Sequence, residues 1–204
     1  MSDFIPVRSV WWGARRWLGG VLLAAATIGW ASAAQGALTQ WCGHWHGTLE
    51  IWGTDQVVKS IPMELHVSET TNAGQYAWTI VYDQGEKRQE RAYRLLTEDA
   101  AAGRYAVDER NGIVIPVRRF GMELVSQFSV QGTRISSRYS FSTDGTMLFE
   151  LFSFQEQGAR VSGGTNDVPA VTGEWANGFQ RAVLKRAEPG AGIKGGANEI
   201  PRPR

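Results

Sequence analysis

The sequence WHGTLEIW of residues 45–52 is followed by the turn GTDQ of residues 53–56 and by VVKSIPMELHV of residues 57–67. Apolar side chains recur at alternate positions in both segments, which is the period of a β-strand that buries one face. The glycine and the aspartate between the segments favour a tight turn. The stretch therefore predicts a β-hairpin with one apolar face and one polar face.

The register of this hairpin follows from its two faces. The apolar faces of the two strands must lie on the same side of the sheet. The two residue numbers in each cross-strand pair must therefore add up to an even number. A sum near 110 places His44 opposite His66 and His46 opposite Glu64, and a two-residue slip would keep the same faces. The three histidines of the chain and one carboxylate are therefore predicted on the face of the hairpin that points away from the core.

Short alternating segments continue along the chain, separated by turns that contain glycine, aspartate or asparagine. The further candidate strands are residues 76–82, 87–96, 104–109, 113–115, 122–130, 134–141 and 148–154. Residues 174–186 could form a closing strand or a short helix, and we favour the strand because it would pair with the first one. A meander without covering helices must close on itself to remove its edges. We therefore predict an all-β fold, an antiparallel up-and-down β-barrel of about nine or ten strands.

The beginning of the chain has the composition of a secretory signal peptide. Three arginines, Arg8, Arg15 and Arg16, precede the apolar run of residues 17–30, and Ala31-Ser32-Ala33 forms a small-residue cleavage pattern. An uncleaved membrane anchor is the alternative, although the apolar run is short for a membrane span. We predict an exported protein, periplasmic or extracellular, with no stable membrane span after cleavage.

The chain is accordingly divided into a signal peptide at residues 1–33, a β-barrel domain at residues 38–187 and a disordered tail at residues 188–204. The 204 residues include 21 Lys and Arg against 20 Asp and Glu, and removal of the signal peptide leaves about one net negative charge. This balance lacks the basic patch that nucleic-acid binding requires, so no nucleic-acid partner is expected. Cys42 is the only cysteine, and an exported protein with one cysteine has no internal disulfide.

Gly43-His44-Trp45 at the start of the first predicted strand resembles the G-x-W signature of lipocalins. In that family the tryptophan closes one end of the barrel and an arginine from a late strand packs over it, a part that Arg181 or Arg186 would take here. Over residues 40–187 the chain is similar to the calycin group of lipocalins and fatty-acid-binding proteins, and also to secreted bacterial β-barrels of unassigned function. The resemblance implies a ligand cavity rather than a reaction. The lipocalin disulfides are absent, and so is a late-strand R-x-Y clamp of the fatty-acid-binding type.

The apolar faces of the predicted strands would form the inside of the barrel. A mostly apolar wall with a few polar groups is typical of a small-molecule pocket, whereas a narrow barrel is filled by its own side chains. The predicted lining consists of Trp45, Leu49, Met63, Tyr76, Trp78, Tyr82, Leu124, Ser126, Phe128, Ser137 and Tyr139. We therefore predict non-covalent sequestration of a hydrophobic or amphipathic small molecule. A structural or interaction barrel with a filled interior stays open as an alternative.

The segment Arg91-Ala92-Tyr93 places an arginine and a phenol on the same face of a strand. If that face were interior, the two groups could hold a carboxylate or a phosphate by charge-assisted hydrogen bonds. Because residues 87–91 are charged on both faces, we interpret the segment as a solvated strand.

The polar face of the first hairpin suggests a second alternative function. The residues His44, His46, His66 and Glu64 offer three imidazoles and a carboxylate, a set that suits zinc or copper. This alternative is a metal-binding protein or a metal-dependent enzyme. The sequence contains no G-x-S-x-G, no H-E-x-x-H and no glycine-rich phosphate loop that opens a helix. We therefore predict no catalytic residue and no cofactor.

Overall fold

The computed structural model describes residues 38–165 and 167–187. The predicted signal peptide and the predicted disordered tail lie outside these described residues. The strands are β1 (Gly43–Trp52), β2 (Val57–Glu69), β3 (Gln75–Tyr82), β4 (Gln89–Asp99), β5 (Arg104–Asp108), β6 (Val114–Phe120), β7 (Glu123–Val130), β8 (Thr133–Phe141), β9 (Thr146–Gln155), β10 (Arg160–Ser162), β11 (Val171–Gly173) and β12 (Ala176–Arg186). Two single-turn 3₁₀ helices complete the described structure, at Thr39–Trp41 and at Gly85–Lys87.

Ten of these strands form one closed antiparallel barrel in the order β1-β12-β9-β8-β7-β6-β5-β4-β3-β2. The predicted all-β barrel of nine or ten strands is therefore confirmed. The two remaining strands, β10 and β11, pair only with each other in the segment between β9 and β12. Along the chain, each of the strands β1 to β8 is followed directly by a strand with which it pairs. Strand β9 is followed first by β10 and β11 and then by its pairing partner β12.

Closure of the barrel depends on β12, which pairs with β9 on one side and with β1 on the other. In the β1–β12 register, Trp45 lies opposite Arg186 and Trp52 lies opposite Phe179. The preference for a strand over a helix in residues 174–186 is confirmed. A helix there would leave the β1 and β9 edges with unpaired backbone groups, which a barrel avoids.

Alternation along every strand sends one set of side chains into the barrel, where they form a single core. Its buried members are Leu38, Trp41, Trp45, Leu49, Ile61, Met63, Leu65, Val67, Tyr76, Trp78, Ile80, Leu95, Tyr105, Val117, Leu124, Tyr139, Met147, Phe149, Ala182 and Leu184. Burial of this apolar area is the main favourable contribution to folding. Among the described residues, no charged side chain is buried in the core.

One end of the barrel, called here the plugged end, is where β1 begins and β12 ends. Trp41 and Trp45 are fully buried there, and the Trp45 Nε1–H donates a hydrogen bond of 2.9 Å to the Trp41 carbonyl oxygen. The Arg186 guanidinium lies 4.2 Å above the Trp45 ring and donates hydrogen bonds to the carbonyl oxygens of Gln40, at 2.5 Å, and of Cys42. Of the two arginines that the lipocalin resemblance offered, Arg186 therefore covers the tryptophan.

The opposite end, called here the open end, is where β1 ends and β12 begins. Interior-facing side chains near it are only half-buried, as Ile51, Tyr93 and Phe128 show. On the outer wall at this end, Phe179 stacks on Phe152 with ring centroids 4.8 Å apart. No helix among the described residues is both long and apolar enough to cross a membrane.

Candidate functional site

A small, partly open residual space lies in the interior of the barrel, among the described residues of its middle layer. Its volume is about 40 Å³, and its walls come from β3 to β8. The lining residues are Trp78, Leu95, Val107, Val117, Leu124, Ser126, Ser137 and Tyr139. A water molecule needs roughly 10–15 Å³ by the same kind of measure, so this space accommodates a few waters. Most of the remaining barrel interior is occupied by buried core side chains.

The predicted lining residues occupy three different places. Trp78, Leu124, Ser126, Ser137 and Tyr139 line the residual space. Trp45, Leu49, Met63 and Tyr76 are buried in the core and do not line it. Tyr82 and Phe128 are half-buried on inner positions.

Sequence reasoning missed three residues that line the space, Leu95, Val107 and Val117. Leu95 lies in the charged strand whose two faces were difficult to tell apart from the sequence. Val107 and Val117 lie in short strands, where alternation extends over too few positions to define a face. A usable signal was present, because Val107 and Tyr105 alternate in β5 and Tyr105 pairs with Val117 in β6.

The wall of the space carries a small number of polar groups. Ser126 and Ser137 are register partners on β7 and β8, and their hydroxyl oxygens form a hydrogen bond of 2.8 Å. This pair is half-buried and satisfies itself, which lowers the cost of placing two hydroxyls beside an apolar space. A ligand that enters the space would meet one polar spot on an otherwise apolar wall.

Arg91 and Tyr93 lie on the inner face of β4, nearer to the open end. Arg91 pairs with buried Ile80, and Tyr93 pairs with buried Trp78, which fixes the face. The Arg91 guanidinium lies 5.3 Å from the centre of the Tyr82 ring. The interpretation of this segment as a solvated strand holds for residues 89–92, which are all exposed, although Arg91 and Tyr93 lie on the inner face of the sheet. The Arg91 side chain is exposed because it stands at the open end, although its face is the interior one.

Burial raises the pKa of Tyr82, Tyr93 and Tyr139, three of the tyrosines on inner positions of the barrel. For Tyr139, which is buried most completely, burial is the main cause and nearby Tyr82 adds to it. For Tyr82 and Tyr93, burial raises the pKa and the positive charge of Arg91 partly opposes the shift. All three phenols therefore stay protonated at neutral pH and can donate hydrogen bonds.

The raised pKa of Tyr139 predicts a loss of stability in alkaline solution. An unfolded tyrosine ionises near pH 10, whereas folded Tyr139 keeps its proton to higher pH. Its stabilising contribution is therefore complete below about pH 10 and is lost as the pH rises towards the folded-state pKa. We expect the free energy of unfolding to fall up to about 1.4 kcal/mol per pH unit more steeply above pH 10 than in Tyr139→Phe. Urea unfolding at pH 9, 10 and 11 measures both slopes, and equal slopes would contradict this prediction.

The second cluster lies on the outer face of β1 and β2. His44 pairs with His66 and His46 pairs with Glu64, so the predicted register with a sum of 110 is confirmed. Nε2 of His44 lies 3.3 Å from Oε2 of Glu64, and Nε2 of His66 lies 2.8 Å from the same oxygen. Burial alone would raise the pKa of Glu64, but hydrogen bonds from His66 and His44 lower it overall. Glu64 is therefore an anion at neutral pH, held between two imidazoles.

A shallow groove runs along the outer wall between β1 and β12. It has a volume of about 480 Å³ and is open to solvent along its length. Its lining is mixed and includes the ionisable residues His46, Glu50, Arg181 and Lys185. None of the residues predicted to line the cavity borders this groove.

Comparison with known proteins bears on the fold. No protein-family model matches the chain, and no curated protein matches it. Among solved structures, the barrel is similar to a protein of unknown function from the DUF3598 family of Nostoc punctiforme, with 10% sequence identity and a TM-score of 0.51. That match covers 74% of this chain and 49% of the other, so this chain spans about half the length of that protein.

Two further solved structures are similar at lower scores. One is the S-type phycobiliprotein lyase CPES from Guillardia theta, with 7% identity, 74% and 90% of the two chains covered and a TM-score of 0.49. The other is a variant of the fluorescent protein UnaG, with 12% identity, 74% and 99% covered and a TM-score of 0.40. At such identities the likeness is one of fold alone. The barrel of this chain has ten strands, two more than the eight of lipocalin barrels.

Proposed function

We propose that this barrel binds a hydrophobic or amphipathic small molecule, non-covalently, through its open end. The observation that carries the proposal is the contrast between the two ends. Trp41, Trp45 and Arg186 seal the plugged end, whereas inner side chains near the open end are only half-buried above an apolar space. A concave, mostly apolar site with a few polar groups is the usual form of a small-molecule site. In this proposal the chain acts as a calycin-like binding protein, and no reaction is assigned to it.

The size of the residual space limits how such a ligand would bind. Sites for drug-sized ligands measure roughly 300–1,000 Å³, whereas the residual space measures about 40 Å³. A ligand would therefore occupy mainly the half-open region above this space and insert only a narrow apolar end into it. Half-buried Phe128 and its register partner Ile135 border that region and would have to move aside.

The polar groups at the open end favour a ligand with an acidic group. Arg91 supplies a positive charge on the inner face, and the protonated phenol of Tyr82 is a neighbouring donor. Charge-assisted hydrogen bonds from arginine to a carboxylate are stronger than bonds between neutral groups. An amphipathic acid would thus lie with its apolar end on the Ser126–Ser137 layer and its carboxylate beside Arg91.

Export is part of the same proposal and is supported by the basic, apolar and small-residue pattern of residues 1–33. The location would be periplasmic or extracellular.

Native mass spectrometry of untagged protein from its own source tests export and binding together. The expected mass lacks residues 1–33 and includes a bound small molecule that is released on denaturation. A full-length mass would contradict export, and a bare barrel in every preparation would favour a filled interior.

Replacement of Arg91 tests the orientation of the ligand. We expect Arg91→Gln to weaken dodecanoate binding about tenfold or more, because a hydrogen bond to a charged group contributes about 1.5–3 kcal/mol. Binding of dodecanol, which has no charge, should change little. Isothermal titration calorimetry measures both affinities. Arg94→Gln is the matched control, because Arg94 is exposed three residues further along β4, on its outer face.

The outcomes of this titration separate the alternatives. Equal loss of dodecanoate affinity in Arg91→Gln and Arg94→Gln would contradict the role of Arg91 and indicate a general charge effect. Failure of the unmodified protein to bind either dodecanoate or dodecanol would contradict binding of linear amphipathic molecules at the open end.

A further inference from the structure

Three potential metal ligands meet on the outer face of the first hairpin, separate from the barrel interior. Nε2 of His44 and Nε2 of His66 both approach Oε2 of Glu64, at 3.3 Å and 2.8 Å. The two imidazole rings have centroids 4.0 Å apart. All three ligand atoms lie within 4.8 Å of one another. No other group of this kind occurs among residues 38–165 and 167–187.

The two distances from the Glu64 oxygen to the histidine nitrogens are close to those required around a zinc ion. Zinc binds imidazole nitrogen and carboxylate oxygen at roughly 2.0–2.2 Å in a tetrahedral arrangement, which separates the ligand atoms by roughly 3.3–3.5 Å. The distance between His44 and Glu64 is already in this range. The distance between His66 and Glu64 would have to increase by about half an ångström, which a side-chain rotation can supply.

The backbone holds the three ligands on a firm support. The strand that carries His44 is paired with β2 and β12, and the strand that carries Glu64 and His66 is paired with β1 and β3. Val81 is the register partner of Glu64 on the neighbouring strand, and it is only 1% exposed. The ligands therefore project from a continuous sheet rather than from a loop, and one side of the cluster is apolar.

The environment also distinguishes the third histidine from the other two. The ring centroid of His46 lies 6.5 Å from that of His44, and its nitrogens are not among the clustered ligand atoms. Lys185 is the register partner of His46 on β12. A cation is therefore favoured on the Glu64 side of His44 and disfavoured on the Lys185 side.

We propose that His44, Glu64 and His66 bind one Zn²⁺ ion, or a divalent transition metal with the same ligand preferences, at the outer wall of the barrel. Two histidines and one carboxylate are a donor set with which zinc keeps a fourth position open. That position faces solvent here, because the side chains of His44 and His66 are 38% and 42% exposed. A water molecule or an external ligand would complete the coordination.

Titration of untagged full-length protein with zinc chloride in a chelator-treated buffer tests this proposal. Isothermal titration calorimetry is expected to show one zinc per chain. We expect His66→Ala and Glu64→Gln each to weaken binding at least tenfold, since even loss of a partner that only orients a ligand costs roughly 10–100-fold. Cobalt(II) provides a second readout, because its visible absorption reports the coordination geometry without any assay of activity.

Two control variants test whether the loss of zinc affinity is specific to the three proposed ligands. His46→Ala removes a histidine from the same strand face, and Glu50→Gln neutralises a carboxylate further along the same face. Both are expected to bind zinc within threefold of the unmodified protein. Circular dichroism and thermal unfolding with a chelator present check that every variant folds. The proposal is overturned if the unmodified protein binds no zinc, if His66→Ala binds as tightly, or if His46→Ala loses as much affinity as His66→Ala.

Discussion

Replacement of Trp45 by alanine is expected to lower the free energy of unfolding by about 3–5 kcal/mol, the usual cost of removing a buried tryptophan or phenylalanine side chain. Trp45 is fully buried and packs edge-to-face on Phe141, with ring centroids 5.5 Å apart. The replacement also removes the hydrogen bond to Trp41 and the aromatic surface beneath Arg186. Since a domain is stabilised by only about 5–15 kcal/mol, we expect a large fall in the urea midpoint.

The matched control for this prediction is Trp52→Ala, in the same strand. Trp52 is 36% exposed on the outer wall, where its ring centroid lies 6.4 Å from that of Phe179. Loss of that contact should cost about 1 kcal/mol, the scale of an exposed aromatic pair. Urea unfolding of both variants compares the two costs directly. If Trp45→Ala and Trp52→Ala were equally stable, the plugged end would not be a main source of stability.

The second large effect is expected at Gly47, which lies opposite Leu184 in the pairing of β1 with β12. A Cβ atom at this position would lie well inside van der Waals contact with the backbone carbonyl of Val183 and 3.0 Å from Cδ2 of Leu184. A backbone atom in a paired strand cannot rotate away, so the two strands would have to separate locally. We expect Gly47→Ala to cost about 2–3 kcal/mol, the upper part of the range for overpacking. Differential scanning calorimetry measures the change.

A glycine with free space around it provides the comparison. Gly173 also lies in a strand, β11, and a Cβ atom there would meet its nearest atom, the Arg160 carbonyl oxygen, at 3.9 Å. Gly173→Ala should therefore leave the melting temperature nearly unchanged or raise it slightly, because alanine restricts the unfolded chain. A similar loss of stability in both variants would show that the crowding at Gly47 is not the cause.

The fold could be predicted because its determinants are local. The stretch from Trp45 to Val67 has a period of two, and that period fixed both the faces and the register of the first hairpin. His44 opposite His66 was therefore within reach of the sequence alone. The closing strand was predicted for a different reason, since a meander without helices needs a partner for its first edge.

The details of the candidate site depend on contacts that no local pattern contains. The choice between Arg181 and Arg186 as the cover of Trp45 depends on the β1–β12 register, which joins residues far apart in sequence. The charges on both faces around Arg91 left its face undetermined from the sequence, and only its pairing with Ile80 shows that this exposed residue lies on the interior face. The volume left inside the barrel is set by how side chains from six strands pack together, which alternation does not determine.

The pairing of β1 with β12 also has a consequence for the time course of folding. Every other pairing in the barrel joins strands that follow one another closely in the chain, whereas this one must wait until more than a hundred intervening residues have been organised. Ribosomal synthesis of those residues takes on the order of ten seconds at 5–20 residues per second. During that interval the backbone N–H and C=O groups on one edge of β1 have no partner strand. Such an unpaired edge can pair with other chains. The β1–β12 pairing therefore completes the barrel, and it removes the last unpaired strand edges.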